Sequence, residues 1–182
     1  MSENGETGAA PSSIMGHLTN REHPMPFQIS GLDPAQFASF HAMSDEELAR
    51  HHALRVTATE YPGYPCRVTL DDAQPGEEVV LLNFEHLPVD SPYRSSHAIY
   101  VRANAARKCE TVDVVPPALE RRLLSVRGFD AAGLMISGEI VEGANLAPYV
   151  EAQLANPDIE YLHAHYARRG CFAARIDRAP AA

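Results

Sequence analysis

Apolar and polar residues alternate along several short stretches of this chain, and most of these stretches come in pairs separated by a turn sequence. The first pair is CRVTL, residues 66–70, and EVVLLNFEH, residues 78–86, joined by DDAQPGE. The second pair, LLSVRGFD and LMISGEIVEG, flanks an Ala-Ala-Gly turn, and the third is YLHAHYARRGCFAAR, residues 161–175. Because a period of two is typical of half-buried strands, the pattern predicts three antiparallel hairpins.

Shorter elements are predicted between the hairpins from capping residues and prolines. Ser44 followed by Glu47 has the spacing of a capping box, and Asp33 and Asn145 are suitable N-cap residues. The predicted helices cover residues 34–40, 45–51, 116–123 and 145–154. The remaining predicted strands cover residues 27–30, 54–59 and 97–102.

The order of these elements indicates the fold class. The 182 residues suit one domain, and they contain no internal repeat, no β-α-β alternation and no glycine-rich phosphate loop. We therefore predict a single-domain α+β fold, with a mixed or mainly antiparallel sheet built from hairpins and several short helices. Residues 1–24 are polar and rich in Gly and Ser, so we predict a flexible N-terminal tail there and a globular domain over residues 25–180.

Composition disfavours several classes of partner and location. The chain has 24 acidic and 15 basic residues and a net charge of -9, so it should repel a phosphate backbone, and nucleic acid is not an expected partner. No apolar run approaches the roughly 18 residues that span a bilayer, and no basic and apolar signal segment opens the chain. We therefore expect a cytoplasmic protein without membrane association, in which the three cysteines remain thiols.

The third hairpin carries two histidines, and its register decides which side chains share their face. A type I turn over residues 167–170, with Gly170 in the left-handed conformation as a G1 bulge, fits the sequence. The predicted pairs are His163 with Arg175, His165 with Ala173, and Ala167 with Cys171. One face then carries the apolar side chains of Leu162, Ala164, Tyr166, Phe172, Ala174 and Ile176. The opposite face, which is either solvent-exposed or part of a pocket, carries His163, His165, Cys171 and Arg175.

The His-x-His pair suggests a metal site, because two imidazoles on one face of a strand offer two nitrogen ligands to Zn, Fe or Cu. Two ligands alone do not hold a metal. The candidates for a third ligand are Cys171, His86, Glu85 and Cys66. The predicted metal ligands are His163, His165 and His86, which would hold a divalent metal such as Zn. The alternative is that the histidines are a surface pair whose polar atoms are satisfied without a metal.

Cys171 supports a second interpretation, nucleophilic catalysis. A thiolate beside histidine and arginine side chains is a reactive nucleophile, so the candidate catalytic residues are His163, His165 and Cys171. The opposing interpretation is that a free cysteine is simply a small buried side chain. Cys109 lies in the polar stretch ARKCET and is expected to be a loop thiol.

Several arginines lie in or beside the hairpins of this acidic chain. A planar guanidinium suits carboxylate or phosphate groups, so we expect a small anionic ligand, with Arg67, Arg94 and Arg175 as candidate binding residues. The alternative partners for Arg67 and Arg175 are the carboxylates of Asp71, Asp72 and Asp177. Arg168 and Arg169 occupy a turn tip, where a solvated charge is usual.

Three segments together resemble a known family. GYPCRVTLDDAQPGEEVVLLNFEH, SPYRSSHAIYVR and HAHYARRGCFAAR, in this order and spacing, resemble the bacterial domain of unknown function (DUF) 1203 family. The resemblance extends from about Phe27 to Arg178 and implies no particular reaction. One departure is Tyr166, where the family pattern has a small polar residue such as Asn. The family motifs contain Cys66, Arg67, His86, Tyr93, Arg94, His163, His165, Gly170 and Cys171.

The resemblance adds two expectations to those drawn from the residues. Tyr93 joins the candidate ligand-binding residues, and Cys66 and Cys171 are expected to come together as a thiol pair because both lie in family motifs at strand ends. The leading functional interpretation is a small-molecule or metal-binding protein with one polar His/Cys/Arg site, which leaves room for an enzyme. The alternative is a noncatalytic binding or protein-interaction module in which the last hairpin is structural.

Overall fold

Nine strands form two antiparallel sheets in the computed structural model of the chain, which describes residues 25–180. The predicted α+β class, with hairpins and short helices, is confirmed. The predicted flexible tail, residues 1–24, lies outside the described residues. Within residues 25–180, the structure contains no helix with the length and apolar character needed to cross a membrane.

The strands divide into a large sheet and a small one. They are β1 (Phe27–Ser30), β2 (Leu54–Thr57), β3 (Glu78–Leu87), β4 (Ser95–Arg102), β5 (Glu110–Val112), β6 (Leu123–Phe129), β7 (Met135–Glu142), β8 (Tyr161–Tyr166) and β9 (Phe172–Arg178). The large sheet has six strands in the order β5-β1-β9-β8-β6-β7, and the small sheet has the order β2-β3-β4. The histidine-bearing strand β8 is therefore central and paired on both sides, by β6 and β9.

The helices are short, as predicted, and several begin at the predicted capping residues. They are α1 (Ala38–Ala42), α2 (Asp45–Arg50), α3 (Pro117–Glu120) and α4 (Leu146–Leu154), with 3-10 turns at Pro34–Phe37 and Gly143–Asn145. Ser44 and Glu47 form both hydrogen bonds of the capping box, and the Asp33 side chain accepts from a backbone N–H. Asn145 occupies the N-cap position of α4 without making a side-chain hydrogen bond there.

Two main apolar clusters stabilise the two sheets. The first packs α4 against the large sheet, with Val150 beside strand residues such as Leu124 and Leu162. The second packs the N-terminal helices against the small sheet, with Leu48 beside Leu82 and Ile99. Burying each of these side chains contributes about 1.5–3 kcal/mol. Because Leu162 and its alternate neighbours on β8 face the first cluster, the histidines between them face the other way.

The first predicted hairpin is wrong. Residues 66–70 form a turn, in which the N–H of Leu70 donates to the carbonyl of Cys66 at 3.0 Å, and Leu70 has a φ of 51°. β3 pairs instead with β2 and β4. Cys66, Val68 and Leu70 are all fully buried, so the alternation in CRVTL reflects burial of a loop. This loop tolerates burial because its backbone groups bond to β4 and to the segments after β1 and before β5.

The other two predicted hairpins are present. β6 and β7 pair across the Ala-Ala-Gly turn, and β8 and β9 pair across the turn that contains Gly170. Gly170 has a φ of 74°, the predicted left-handed conformation, which glycine adopts without steric cost. The predicted pair of His163 with Arg175 is confirmed.

The other two predicted pairs of the last hairpin are wrong, because a bulge lies one step further along β9. His165 pairs with Phe172 and not with Ala173, which is left as the extra residue. Cys171 accordingly lies opposite the residue before Ala167. Since an extra residue inverts the alternation beyond it, Phe172 lies on the histidine face, and Cys171 joins the opposite, apolar cluster.

Candidate metal centre and arginine cleft

Three histidine rings, two from the large sheet and one from the small sheet, lie side by side. His163 and His165 alternate along β8, and His86 is the unpaired residue of a bulge in β3. The ring centroid of His86 lies 5.8 Å from that of His163 and 5.0 Å from that of His165. One ring nitrogen of each histidine lies within 4.8 Å of the other two. Within residues 25–180 these three are the group of His, Cys, Asp or Glu side chains with a geometry that could hold a metal ion.

Aromatic side chains surround this histidine cluster. The ring of Phe172 stacks on His86 with a centroid distance of 5.1 Å and meets the edge of His163 at 4.9 Å. Phe129 and Tyr161 pack on the other side of His163, at 5.3 Å and 5.2 Å. His163 and His165 are each 1% exposed, whereas His86 is partly exposed. The cluster is therefore closest to solvent at His86.

Each of the three rings has a buried nitrogen without a hydrogen-bond partner. These atoms are His86 Nδ1, His163 Nδ1 and His165 Nε2. The other nitrogen of His165, Nδ1, lies 2.9 Å from the carbonyl oxygen of Gly170, and because a carbonyl only accepts, this nitrogen carries the proton. The lone pair of a neutral His165 is then on Nε2. A histidine fixed by a backbone carbonyl in this way is the usual arrangement of a metal ligand.

Burial keeps all three imidazoles neutral. Desolvation lowers the pKa of His86 to about 4, of His163 to about 2 and of His165 to about 3. The positive charge of Arg127 and the neighbouring imidazoles lower these pKa values further. At neutral pH each ring therefore offers an uncharged nitrogen, the form that binds metals.

The other candidates for a third metal ligand have different partners. The carboxylate of Glu85 accepts from Arg94 at 2.6 Å on the protein surface. The sulfur of Cys66 accepts from two backbone N–H groups, each at 3.4 Å. The sulfur of Cys171 accepts from Arg67 at 3.0 Å. A metal on the three histidines would therefore have three protein nitrogens and no thiolate.

The two thiols expected to pair are both buried and both free. Cys66 packs in the cluster of the small sheet and precedes Arg67 in the chain, whereas Cys171 packs in the cluster of the large sheet and accepts from Arg67. Cys109 is partly buried beside the large sheet, where burial raises the pKa of its thiol.

The predicted ligand-binding residues do not form one site. Arg94 forms the surface ion pair with Glu85, and Tyr93 meets the ring of Phe129 edge-on at 6.4 Å. Arg175 pairs with its neighbour Asp177 at 2.8 Å, the alternative given for it above, and stacks over Tyr161. Arg67 alone of the four predicted residues lines a large cavity.

This cavity, which we call the arginine cleft, has a volume of about 870 Å³. Its charged lining residues are Arg67, Arg121, Arg122, Arg168, Arg169 and Glu142. Arg67 is 1% exposed, and it donates to the carbonyl oxygens of Phe172, at 2.8 Å, and of Pro65, and to the Cys171 sulfur. Its guanidinium also lies 4.9 Å from the centre of the Tyr166 ring.

A buried carboxylate that pairs with two arginines of the cleft was missed by the sequence analysis as a site residue. Asp72 is fully buried and pairs with Arg122 at 2.5 Å and with Arg121 at 3.2 Å. Arg122 also lies 5.2 Å from the Tyr166 ring, on which Arg67 packs as well. Burial raises the pKa of Tyr166 to about 12. The doubled charges Asp71-Asp72 and Arg121-Arg122 are visible in the sequence, but their pairing spans some 50 residues and has no local signature.

The fold and the site define an α+β protein whose two sheets share a buried cluster of three imidazoles. The family described as Protein of unknown function (DUF1203) matches residues 63–178, and the chain belongs to this family. The matched segment contains the three histidines of the cluster together with Arg67 and Cys171. No curated protein and no solved structure matches the chain.

Proposed function

We propose that this protein binds a divalent metal ion, with Zn²⁺ as the first candidate, through His86, His163 and His165. The observation that carries the proposal is the set of three buried ring nitrogens that lack hydrogen-bond partners and belong to rings with one nitrogen each within 4.8 Å of the others. Zn–N bonds of about 2.0–2.1 Å in a tetrahedral site place ligand nitrogens roughly 3.4 Å apart. Small ring movements are enough to reach that separation.

The energetics of the cluster favour a metal over a purely structural role. A buried polar atom without a partner costs about 1–3 kcal/mol, and the cluster contains three such nitrogens. A cation bound through these nitrogens would satisfy all three at once, whereas aromatic packing satisfies none of them. The protonation states are also suitable, since the depressed pKa values keep each imidazole neutral at pH 7.

Three protein nitrogens leave one coordination position of a tetrahedral metal for water or a small molecule. This is the ligand number of catalytic zinc sites, where the metal acidifies bound water or polarises an oxygen atom of the substrate. The partly exposed His86 provides the side from which such a molecule would enter. The more specific proposal is therefore a metal-dependent enzyme. The experiment below tests metal binding, on which such an activity would depend.

Titration of metal-free, untagged protein with Zn²⁺ tests the proposal. We expect one equivalent to bind. At a free concentration of 100 times the Kd, the gain of about 2.7 kcal/mol should raise the Tm by roughly 5–10 °C. His163→Gln should abolish binding and the rise in Tm, because it removes one of the three proposed ligands. His51→Gln, which changes an exposed histidine outside the cluster, should leave both unchanged.

Two results would contradict the proposal. One is a wild-type protein that binds neither Zn²⁺ nor Co²⁺ in stoichiometric amounts. The other is a His163→Gln variant that binds as tightly as the wild type, because the metal would then lie elsewhere.

A further inference from the structure

Arg67 is an unusual buried charge. Its guanidinium is 1% exposed, and its three hydrogen bonds go to two carbonyl oxygens and one sulfur atom. The ion pairs within residues 25–180 include none in which a carboxylate oxygen lies within 4.0 Å of Arg67. A buried cation without a counter-charge is costly, and it normally has an anionic partner.

The cleft that Arg67 lines concentrates positive charge. Five arginines and one glutamate line it, in a chain whose net charge is -9. Arg121 and Arg122 share the carboxylate of Asp72. Arg168 and Arg169 are exposed at the rim, and neither has an ion pair among the described residues. Such a concave, mainly positive surface attracts small anions.

The volume and the lining residues of the arginine cleft limit the class of ligand that it can bind. A volume of about 870 Å³ suits a small organic molecule and far exceeds the volume of a single inorganic anion. Pro65, Leu81 and Leu123 provide apolar surface beside the arginines. A ligand that fits this lining has an apolar part and at least one group with two or more anionic oxygens, which a guanidinium binds in bidentate fashion.

We propose that the arginine cleft binds a small organic anion, with Arg67 as the buried counter-charge and Arg168 and Arg169 as rim groups that capture the ligand. The recognised group is an oxyanion, either a carboxylate or a phosphate ester. This proposal does not depend on metal binding, because none of the three histidines of the cluster lines the cleft. The segment Gly170–Phe172 contacts both His165 and Arg67 and so connects the two sites.

Binding of two simple probes, benzoate and phenyl phosphate, tests the proposal on the full chain by calorimetry or by NMR shifts. Benzyl alcohol is the neutral control of the same shape, and inorganic phosphate tests whether the apolar part contributes. We expect at least one of the two aromatic anions to bind saturably, more tightly than inorganic phosphate, while benzyl alcohol does not bind. Tighter binding of benzoate would identify a carboxylate as the preferred group, and tighter binding of phenyl phosphate would identify a phosphate ester.

Variants locate the site. Arg168→Gln with Arg169→Gln, both at exposed positions, should weaken binding of the anion by about tenfold, since each exposed charge contributes modestly. Arg50→Gln with Arg107→Gln removes the same net charge from exposed positions outside the cleft and should have no effect. Equal losses in the two double variants would overturn the proposal, because attraction would then follow net charge alone. Absence of saturable binding by either anion would overturn it too.

The His163→Gln variant separates this proposal from the preceding one. It should lose Zn²⁺ and keep the anion, whereas loss of both would mean that the anion binds on the metal and would overturn the cleft as the site. A chelator such as EDTA is unsuitable for this comparison, because it is itself a carboxylate anion that would compete for the arginines.

Discussion

The metal-free protein should lose stability steeply below pH 6.5, because His163 and His165 are buried in the neutral form. In the unfolded chain a histidine has a pKa of about 6.5. In the folded protein burial lowers the pKa of His163 to about 2 and of His165 to about 3. As the pH falls below 6.5, the unfolded state takes up protons that the folded state does not. Stability is therefore full above this pH and is lost progressively towards the pKa values of the folded state.

The size of the stability loss follows from the difference between the histidine pKa values of the unfolded and the folded states. Each such group contributes about 1.4 kcal/mol of destabilisation per pH unit, so at pH 5 each histidine accounts for about 2 kcal/mol. The two together account for roughly 4 kcal/mol, a large share of the 5–15 kcal/mol typical of a folded domain. Both side chains are 1% exposed, so solvent screening takes little from this figure. His86 is partly exposed and adds a smaller amount in the same direction.

Urea unfolding at pH 7, 6 and 5, after removal of metal, measures this loss. The chain has no Trp and seven Tyr, so circular dichroism or tyrosine fluorescence is the suitable signal. The double variant His163→Gln with His165→Gln should lose roughly 4 kcal/mol less than the wild type between pH 7 and pH 5. Arg168→Gln, which removes no group that titrates in this range, should match the wild type. Equal losses in the wild type and the double histidine variant would refute the reasoning.

Three further predictions concern other parts of the fold. Asp72→Ala should lower the free energy of unfolding, measured with urea, by about 3–5 kcal/mol, because it leaves two arginines without their buried partner. The control Asp71→Ala, at a partly exposed position, should lower it much less. Gly143→Ala should lower the Tm, because its Cβ would lie 2.0 Å from a backbone oxygen, whereas Gly138→Ala meets nothing closer than 3.9 Å. Mass spectrometry of the folded protein under limited alkylation should show Cys109 modified before the two buried thiols, Cys66 and Cys171.

Local signals in the sequence predicted the local elements well. The capping box at Ser44 and Glu47 and the hairpin of β6 and β7 depend on residues close together in the chain, and both are present. The stretch CRVTL was misread because alternating burial is not unique to strands, and Cys66, Val68 and Leu70 are buried by a turn. The pattern within residues 66–70 does not reveal that β3 already has partners on both sides, β2 and β4.

The site was only partly predictable for a related reason. The His-x-His pair is a local pattern, but His86 was one of four candidate third ligands, and the packing of the two sheets brings it next to the pair. The bulge was predicted at Gly170, whereas the extra residue is Ala173. The sequence does not reveal this shift, because Ala173 and Ala174 are both small and apolar and suit either face of β9. The pairing of Asp72 with the arginines after α3 depends on tertiary packing alone.

Bulges in two strands give the histidine cluster and the cleft their geometry. The extra residue is His86 in β3 and Ala173 in β9. In a β9 without its bulge, the alternation would turn Phe172 towards the core of the large sheet, where its ring could not stack on His86. Cys171 would then face the histidines, and its sulfur could no longer accept from Arg67. The two sites therefore differ in chemistry but share a structural cause, so a change in the length of β9 should disturb both of them together.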